Sequence, residues 1–272
     1  MDPVPVTFVR DERGGVLVYR DGHQQSYVDV ADPTNLAFEY VAQMGLALDA
    51  LAPATPQPLA VTHVGGAGLT LARYVAHTRP GSPQIVLEPD ESTTAAVRRE
   101  LPLPRGHRIR VRAVDGATGV RALASASAEA VLLDAYAAGR VPPELGTVEF
   151  LTEVARVLDR CGLLVANLAD APDRRYLVRV AAGCVAAGLP NLAVLATHDI
   201  LKGRRFGNSV LVASATAYDV GALRRAAARC PIPTGVRAER ELASWLRSAR
   251  PFTAADAEPS PQPPIPSAWR AT

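Results

Sequence analysis

Cysteine is scarce in this chain: Cys161, Cys184 and Cys230 lie far apart, with no C-x-x-C spacing. An odd, unclustered set argues against a disulfide framework and against a zinc centre. The expectation is three small buried hydrophobes in a reducing compartment. No apolar run approaches the length of a membrane span, so no membrane partner is expected. The opening stretch MDPVPVTFVRDERGG lacks a basic segment followed by an apolar core, which is not a signal-peptide pattern. A cytoplasmic protein is therefore expected. Charge of one sign is not in excess either. The net charge is +2, and the basic residues, mostly arginine, are spread along the chain. A nucleic-acid binder would cluster them, so no nucleic-acid partner is expected. Internal repeats, a G-x-x-x-x-G-K-[ST] phosphate loop and a G-x-S-x-G elbow are all missing, so Ser209 and Ser214 do not suggest a hydrolase.

What is present fits a globular protein of one substantial domain and a small accessory element: 272 residues, 48% hydrophobic and 21% charged. Three alternating segments, VPVTFVRDE, GVLVYRDG and QQSYVDV, are separated by the turn dipeptides Gly14-Gly15 and Asp21-Gly22. They predict a small antiparallel sheet over about residues 4–30. Asp32-Pro33-Thr34 then starts a helix, LAFEYVAQMGLALDAL, with apolar residues at three- and four-residue spacing. Residues 1–52 form this N-terminal unit, and the Pro-rich stretch from Pro53 to Pro58 links it to the rest.

From Leu59 onward, apolar runs alternate with helical patterns. The runs are LAVTHV, QIVLE, RIRVRAV, AEAVLLD, GLLVANLAD, NLAVLAT and NSVLVAS. Continuous apolar strands alternating with helices predict a parallel sheet covered on both faces. The last two strands lack a helical pattern between them, across Thr197–Asn208, which predicts an antiparallel hairpin at one sheet edge. The fold class is thus α/β: a Rossmann-like, seven-stranded, methyltransferase-type sheet over residues 53–252, after a small antiparallel β-domain. Two helices, DVGALRRAAAR and ERELASWLRSA, should close it, with Trp245 packed against the body or a partner. Residues 253–272, rich in Ala, Pro and Ser, should form a disordered tail.

The segment Val61–Gly68, V-T-H-V-G-G-A-G, joins the first parallel strand to its helix. Glycines there let the backbone turn sharply and approach a ligand. In such sheets ligands lie beyond the carboxyl ends of the strands, where the strand order reverses. Glu88 closes the next strand and can accept hydrogen bonds from both ribose hydroxyls. Asp115, in the turn Val114-Asp115-Gly116, can hold an adenine amine, and Asp134 closes a fourth strand. Together they predict an adenosyl site on one rim. Gly65, Gly66 and Gly68 precede Leu69-Thr70-Leu71-Ala72-Arg73, so the third glycine of a dinucleotide motif is missing. His63, at a buried strand end, reads as a hydrogen-bonded core histidine.

At these residues the chain resembles the spermidine synthases, the aminopropyltransferase family, and most closely an actinobacterial spermidine-synthase-like branch. The resemblance runs from the N-terminal sheet to about residue 215. It rests on THVGGAGLTLARYVAHTRPGSPQIVLEPD, the VDG turn, LLDAY, PPELGTVEFLTEVARVLDRCGLLVAN, ADPTNLAFEYV and LKGRRFGN. It implies a small β-domain before a Rossmann-like catalytic domain, a homodimer, and decarboxylated S-adenosylmethionine as aminopropyl donor to a small amine, with no metal. Carried over by motif, Gly65, Gly66, Gly68, Glu88, Asp115, Gly116 and Asp134 would bind the donor. Asp134 would also be the catalytic acid that positions or deprotonates the amine. Phe38 and Glu39, in place of the family's Tyr-Gln pair, and Tyr136 would shape the acceptor pocket.

Several positions depart from that pattern. Ala67 stands where the family has an aspartate against the donor's cationic tail. Asp134-Ala135-Tyr136-Ala137-Ala138 replaces D-S-x-D-P, so an amine-binding acid is lost at Ala137. Lys202-Gly203-Arg204-Arg205 replaces a Tyr-Pro-Ser-Gly turn. One contact ion pair near a protein surface is worth ~4 kcal/mol at an effective dielectric of 20. Losing two such acids should severely weaken putrescine binding, and it admits ordinary S-adenosylmethionine as donor. Three readings stay open: an aminopropyltransferase with a non-standard acceptor, an S-adenosylmethionine-dependent methyltransferase, and a non-catalytic homologue. In either enzyme reading, His198 and Asp199, which follow a strand, could also touch the acceptor.

Overall fold

Both glycine turns of the N-terminal segment form as their residue types demand. Gly14 (φ 90°) and Gly22 (φ 70°) occupy the left-handed region that links three antiparallel strands, β1 (Val6–Arg10), β2 (Val16–Arg20) and β3 (His23–Val28). The computed structural model describes residues 6–264. Asp11 closes the first turn, accepting the N–H groups of Arg13 and Gly15 and the Tyr27 hydroxyl. A three-stranded sheet buries too little by itself. Its inner residues Val16, Val18 and Val28 pack on Val97 and Leu101. Arg20 adds a 2.8 Å ion pair to Asp90.

The remaining strands form one sheet: β4 (Val61–Val64), β5 (Gln84–Leu87), β6 (Ile109–Arg112), β7 (Ala128–Leu133), β8 (Leu158–Asp170), β9 (Asn191–Thr197), β10 (Gly207–Ser214) and β11 (Thr234–Ala238). Their order is β11-β9-β10-β8-β7-β4-β5-β6, with β4 to β8 parallel. Helices α1 (Glu39–Leu51), α2 (Thr70–Thr78), α3 (Glu91–Glu100), α4 (Gly116–Arg121), α5 (Val148–Val157), α6 (Arg175–Ala186), α7 (His198–Leu201), α8 (Val220–Arg229) and α9 (Arg240–Leu246) complete the described residues. Alternate residues of each central strand feed opposite cores. Val131, Leu133, Leu164 and Ala166 pack with α5 and α6, whereas Ala130, Leu132, Leu163 and Val165 pack with α1 and α8. Helix α1 thus lies on the large sheet rather than with the small one.

Three expectations need correction. Among the described residues the large sheet has eight strands, not seven. β11, T-G-V-R-A, is an edge strand that pairs only with β9, so it needs no continuous apolar run and gives little sequence signal. The β9–β10 antiparallel pair is not at the edge, because β10 inserts between β8 and β9. The tail expected to be disordered is ordered over residues 253–264, and residues 265–272 lie outside the described residues. Phe252, buried, bridges to Thr147, and the Arg179 guanidinium stacks 3.7 Å from its ring centroid. Buried Ser260 accepts the Val141 N–H at 2.9 Å and donates its own N–H to the Val141 carbonyl. Such a strap is held by backbone hydrogen bonds to the body, which apolar periodicity cannot reveal. Cys184 is buried as expected, but Cys161 is exposed at the start of β8. Trp245 packs on the body under the Arg174 guanidinium, 4.7 Å away.

Candidate active site

Strand register sets the site. Val64 of β4 is level with Leu87 of β5 and Leu133 of β7, and Leu133 is level with Ala166 of β8. The residues one step further, Gly65, Glu88, Asp134 and Asn167, therefore stand in one row across the sheet. The chain runs from β4 to β5 and β6 on one side, then crosses to β7 and β8 on the other. That is the reversal point at which open α/β sheets leave a crevice.

Gly65 (φ 81°) donates its N–H to the Leu87 carbonyl at 2.9 Å. A Cβ there would lie 2.4 Å from the Asp134 carbonyl oxygen, so only glycine lets the turn pass this close to the β7 end. Gly66 (φ 139°) is open: a Cβ would meet nothing nearer than Val86 at 3.5 Å. Gly68 is engaged otherwise. Its N–H goes to Ser26 Oγ at 3.0 Å, and a Cβ would come 2.5 Å from Ser26 Cβ. Thr70 Oγ1 adds a hydrogen bond to the Tyr27 carbonyl. Gly68 thus seats the small sheet on the first turn of α2 and has no free N–H to offer a ligand. Gly116 is buried, with Val64 only 2.4 Å from where its Cβ would be, so it lets α4 approach β4.

Burial pushes the half-buried Glu88 carboxyl above the usual carboxylate range, opposed by N–H groups of Asp90 and Gly66. Asp115 is exposed and caps α4, accepting the Thr118 N–H at 2.8 Å, which holds its carboxyl low. Asp134 differs. Burial raises its carboxyl to about 6, and Asn167 Nδ2, at 2.9 Å, only partly offsets this. No ion pair to Asp134 occurs among the described residues. It lines a cleft, open to solvent, that extends from Gly65 and Gly66 to Phe38 and Tyr40 at the start of α1.

Of the three acceptor-side candidates, Phe38 lines this cavity, its ring 6.0 Å from that of Tyr40. Glu39 is drawn away into a 3.4 Å surface pair with Arg205, whose guanidinium also reaches Thr197 Oγ1. The Tyr136 hydroxyl accepts the Ala169 N–H at 3.0 Å and lies 3.3 Å from the Asn167 carbonyl. It ties the loop after Asp134 to β8 and is not part of the cavity lining. Ala137 lies in an exposed turn bridged to Arg140, and Arg140 reaches the strap at Ser260. Asp199 pairs with Arg204 at the surface. His63 is buried, bonds Gln84 Oε1 at 2.8 Å, and is held neutral, burial lowering it to about 4.

Sequence reading missed Tyr40, Asn167 and Ser26. Tyr40 stands one residue past the pair chosen, and burial beside Asp134 pushes its hydroxyl well above the usual range. Asn167 is a lone amide in the buried run L-L-V-A-N-L-A. It is 1% exposed, and its Oδ1 has no hydrogen-bond partner. That interruption was the available signal. Ser26 gave none, since its role exists only when β3 meets α2.

No protein-family model matches the chain. A curated polyamine aminopropyltransferase of Chromobacterium violaceum is 28% identical over 154 residues, 56% of each chain, so the match spans about half of that relative's length. A crystal structure of a probable spermidine synthase from Corynebacterium glutamicum is 28% identical, covers 95% of both chains and superposes with a TM-score of 0.82. By sequence and fold the chain is similar to the spermidine synthases. The spermidine synthase of Thermotoga maritima, 16% identical over 90% of this chain and 81% of its own, shares the fold with a TM-score of 0.59. Human methyltransferase-like protein 13, solved with SAH, is 20% identical over 81% of this chain and 95% of its own, with a TM-score of 0.51. The resemblance to methyltransferases is thus one of fold.

Proposed function

We propose that this spermidine-synthase-like chain is a transferase that moves an aminopropyl group from an adenosyl-sulfonium donor to a small amine other than putrescine. The observation that carries this reading is Asp134: a part-buried carboxylate with no cationic partner among the described residues, lining a cleft that begins at the Gly65-Gly66 turn. The residues present fit an adenosyl group. Glu88 would accept both ribose hydroxyls, Asp115 would receive the adenine amine, and Gly66 leaves room for close approach. Decarboxylated S-adenosylmethionine is the expected donor.

In the reaction, the amine nitrogen lone pair attacks the propyl carbon bonded to sulfur. The C–S bond breaks and its electrons leave on sulfur as a neutral thioether. The amine proton passes to Asp134 and then to solvent. An ammonium has no lone pair to attack with, so a carboxylate within reach is required. The sulfonium is already a good leaving group, and holding both reactants in one cavity supplies most of the rest.

A second reading, methyl transfer from S-adenosylmethionine, is favoured by one observation. Ala67 leaves no carboxylate in the glycine turn to repel a donor carboxylate. Calorimetric titration with decarboxylated S-adenosylmethionine, S-adenosylmethionine and methylthioadenosine separates the readings. Tighter binding of the decarboxylated donor supports aminopropyl transfer, and preference for the carboxylated one supports methyl transfer. No binding of any of the three leaves a non-catalytic homologue.

A further inference from the structure

We infer that the acceptor is a primary monoamine with a short apolar tail, rather than a diamine. This rests on the transferase reading above and names the substrate class for the same cavity. A carboxyl and an imidazole, Asp134 and His63, are among the lining side chains. His63 is not a second anion and not a cation: it is neutral and bonded to Gln84. The Tyr27 hydroxyl is given to Asp11. The nearest further carboxylate in sequence, Glu39, pairs with Arg205 and lies outside the lining. The rest of the lining includes the aromatic and aliphatic side chains of Phe38, Tyr40, Val41 and Leu132 and the neutral hydroxyls of Ser26 and Thr70.

One carboxylate compensates one ammonium. A second ammonium on the same ligand would meet neutral side chains and no second carboxylate in this lining, where an unpaired cation is disfavoured. A methyl group at that end of the ligand gains from leaving water. Charge and shape therefore select the same molecule: an ammonium head on Asp134 and a hydrocarbon tail on the aromatic wall.

The test compares two ligands of equal size, 1-aminopentane and 1,4-diaminobutane, titrated calorimetrically into the full chain saturated with methylthioadenosine. The monoamine should bind at least ~30-fold more tightly, the minimum expected for one uncompensated buried charge. Equal or tighter binding of the diamine overturns the proposal, as does failure of both amines to bind to the nucleoside-loaded chain. Asp134→Asn should remove amine binding while methylthioadenosine still binds. Amine binding that survives this change places the amine elsewhere and also overturns the proposal. Failure of methylthioadenosine itself to bind is a distinct result: it removes the transferase reading on which the proposal depends.

Discussion

The two halves of the rim are built from different materials. On the β4–β5–β6 side, the Gly65-Gly66 turn and Glu88 form the site largely through backbone conformation and strand ends. On the side that joins β7 and β8 to α1, side chains that could have met a substrate are committed to the protein itself. Glu39 pairs with Arg205, and Tyr136 bonds β8. Asp134 is the exception. A site made of backbone survives substitution of its neighbours, whereas a site made of side-chain charge changes ligand with two or three substitutions. This is why the proposed nucleoside half follows from the resemblance to the spermidine synthases, whereas the proposed acceptor half rests on this chain's own side chains.

The largest expected effect falls on the residue that joins the halves. Asp134→Asn should lower turnover by ~10²–10⁴-fold, the range for losing a positioned base, and change nucleoside affinity only severalfold. The same substitution should alter stability in the opposite sense. The folded-state value of about 6 lies above the ordinary 3.8, so the folded chain holds this proton more tightly between about pH 4 and 6. That contribution is present at low pH and lost as pH rises through 6. Asn should therefore stabilise the chain at pH 7, by on the order of 2–3 kcal/mol, and flatten that part of the profile in urea denaturation. For the wild type, kcat/KM should rise with pH to a plateau above about 6.

Gly65→Ala probes whether the nucleoside half is truly backbone-built. The left-handed φ and the 2.4 Å approach to Asp134 O predict a loss of roughly 2–4 kcal/mol in denaturant unfolding. Nucleoside affinity should fall with it. A substitution tolerated within 0.5 kcal/mol would break the contrast between the halves.

Glu88→Gln comes next. Hydrogen bonds to a charged group are worth about 1.5–3 kcal/mol, so methylthioadenosine should bind ~10–100-fold more weakly. Tyr136→Phe removes the acceptor of the Ala169 N–H, and should cost about 1–2 kcal/mol of stability while leaving amine selectivity unchanged. A change in selectivity would return Tyr136 to the acceptor site. The smallest effect belongs to Glu39→Gln. Its partner is half-exposed, so stability should move by less than about 1 kcal/mol, and amine affinity by no more than a few-fold.

Much of this was legible in the sequence because period and punctuation are local. Apolar runs, turn glycines and strand-end acids located β4 to β8, the rim and three of its acids. The failures were non-local. β11 needs β9 beside it to be a strand, Gly68 needs Ser26 to show why it is glycine, and the strap needs Val141 to hold Ser260. Glu39 was expected at the acceptor pocket, and the Arg205 that pairs with it lies 166 positions away.

The sequence by itself determined the α/β class, the crevice at the turn after β4, and Asp134 as the acid beside it, since these follow from local patterns repeated along the chain. Only the tertiary structure decided which of the remaining polar groups are free. Whether a carboxylate, a hydroxyl or an amide N–H is available to a ligand depends on its partner in space, and those partners come from distant segments of the chain.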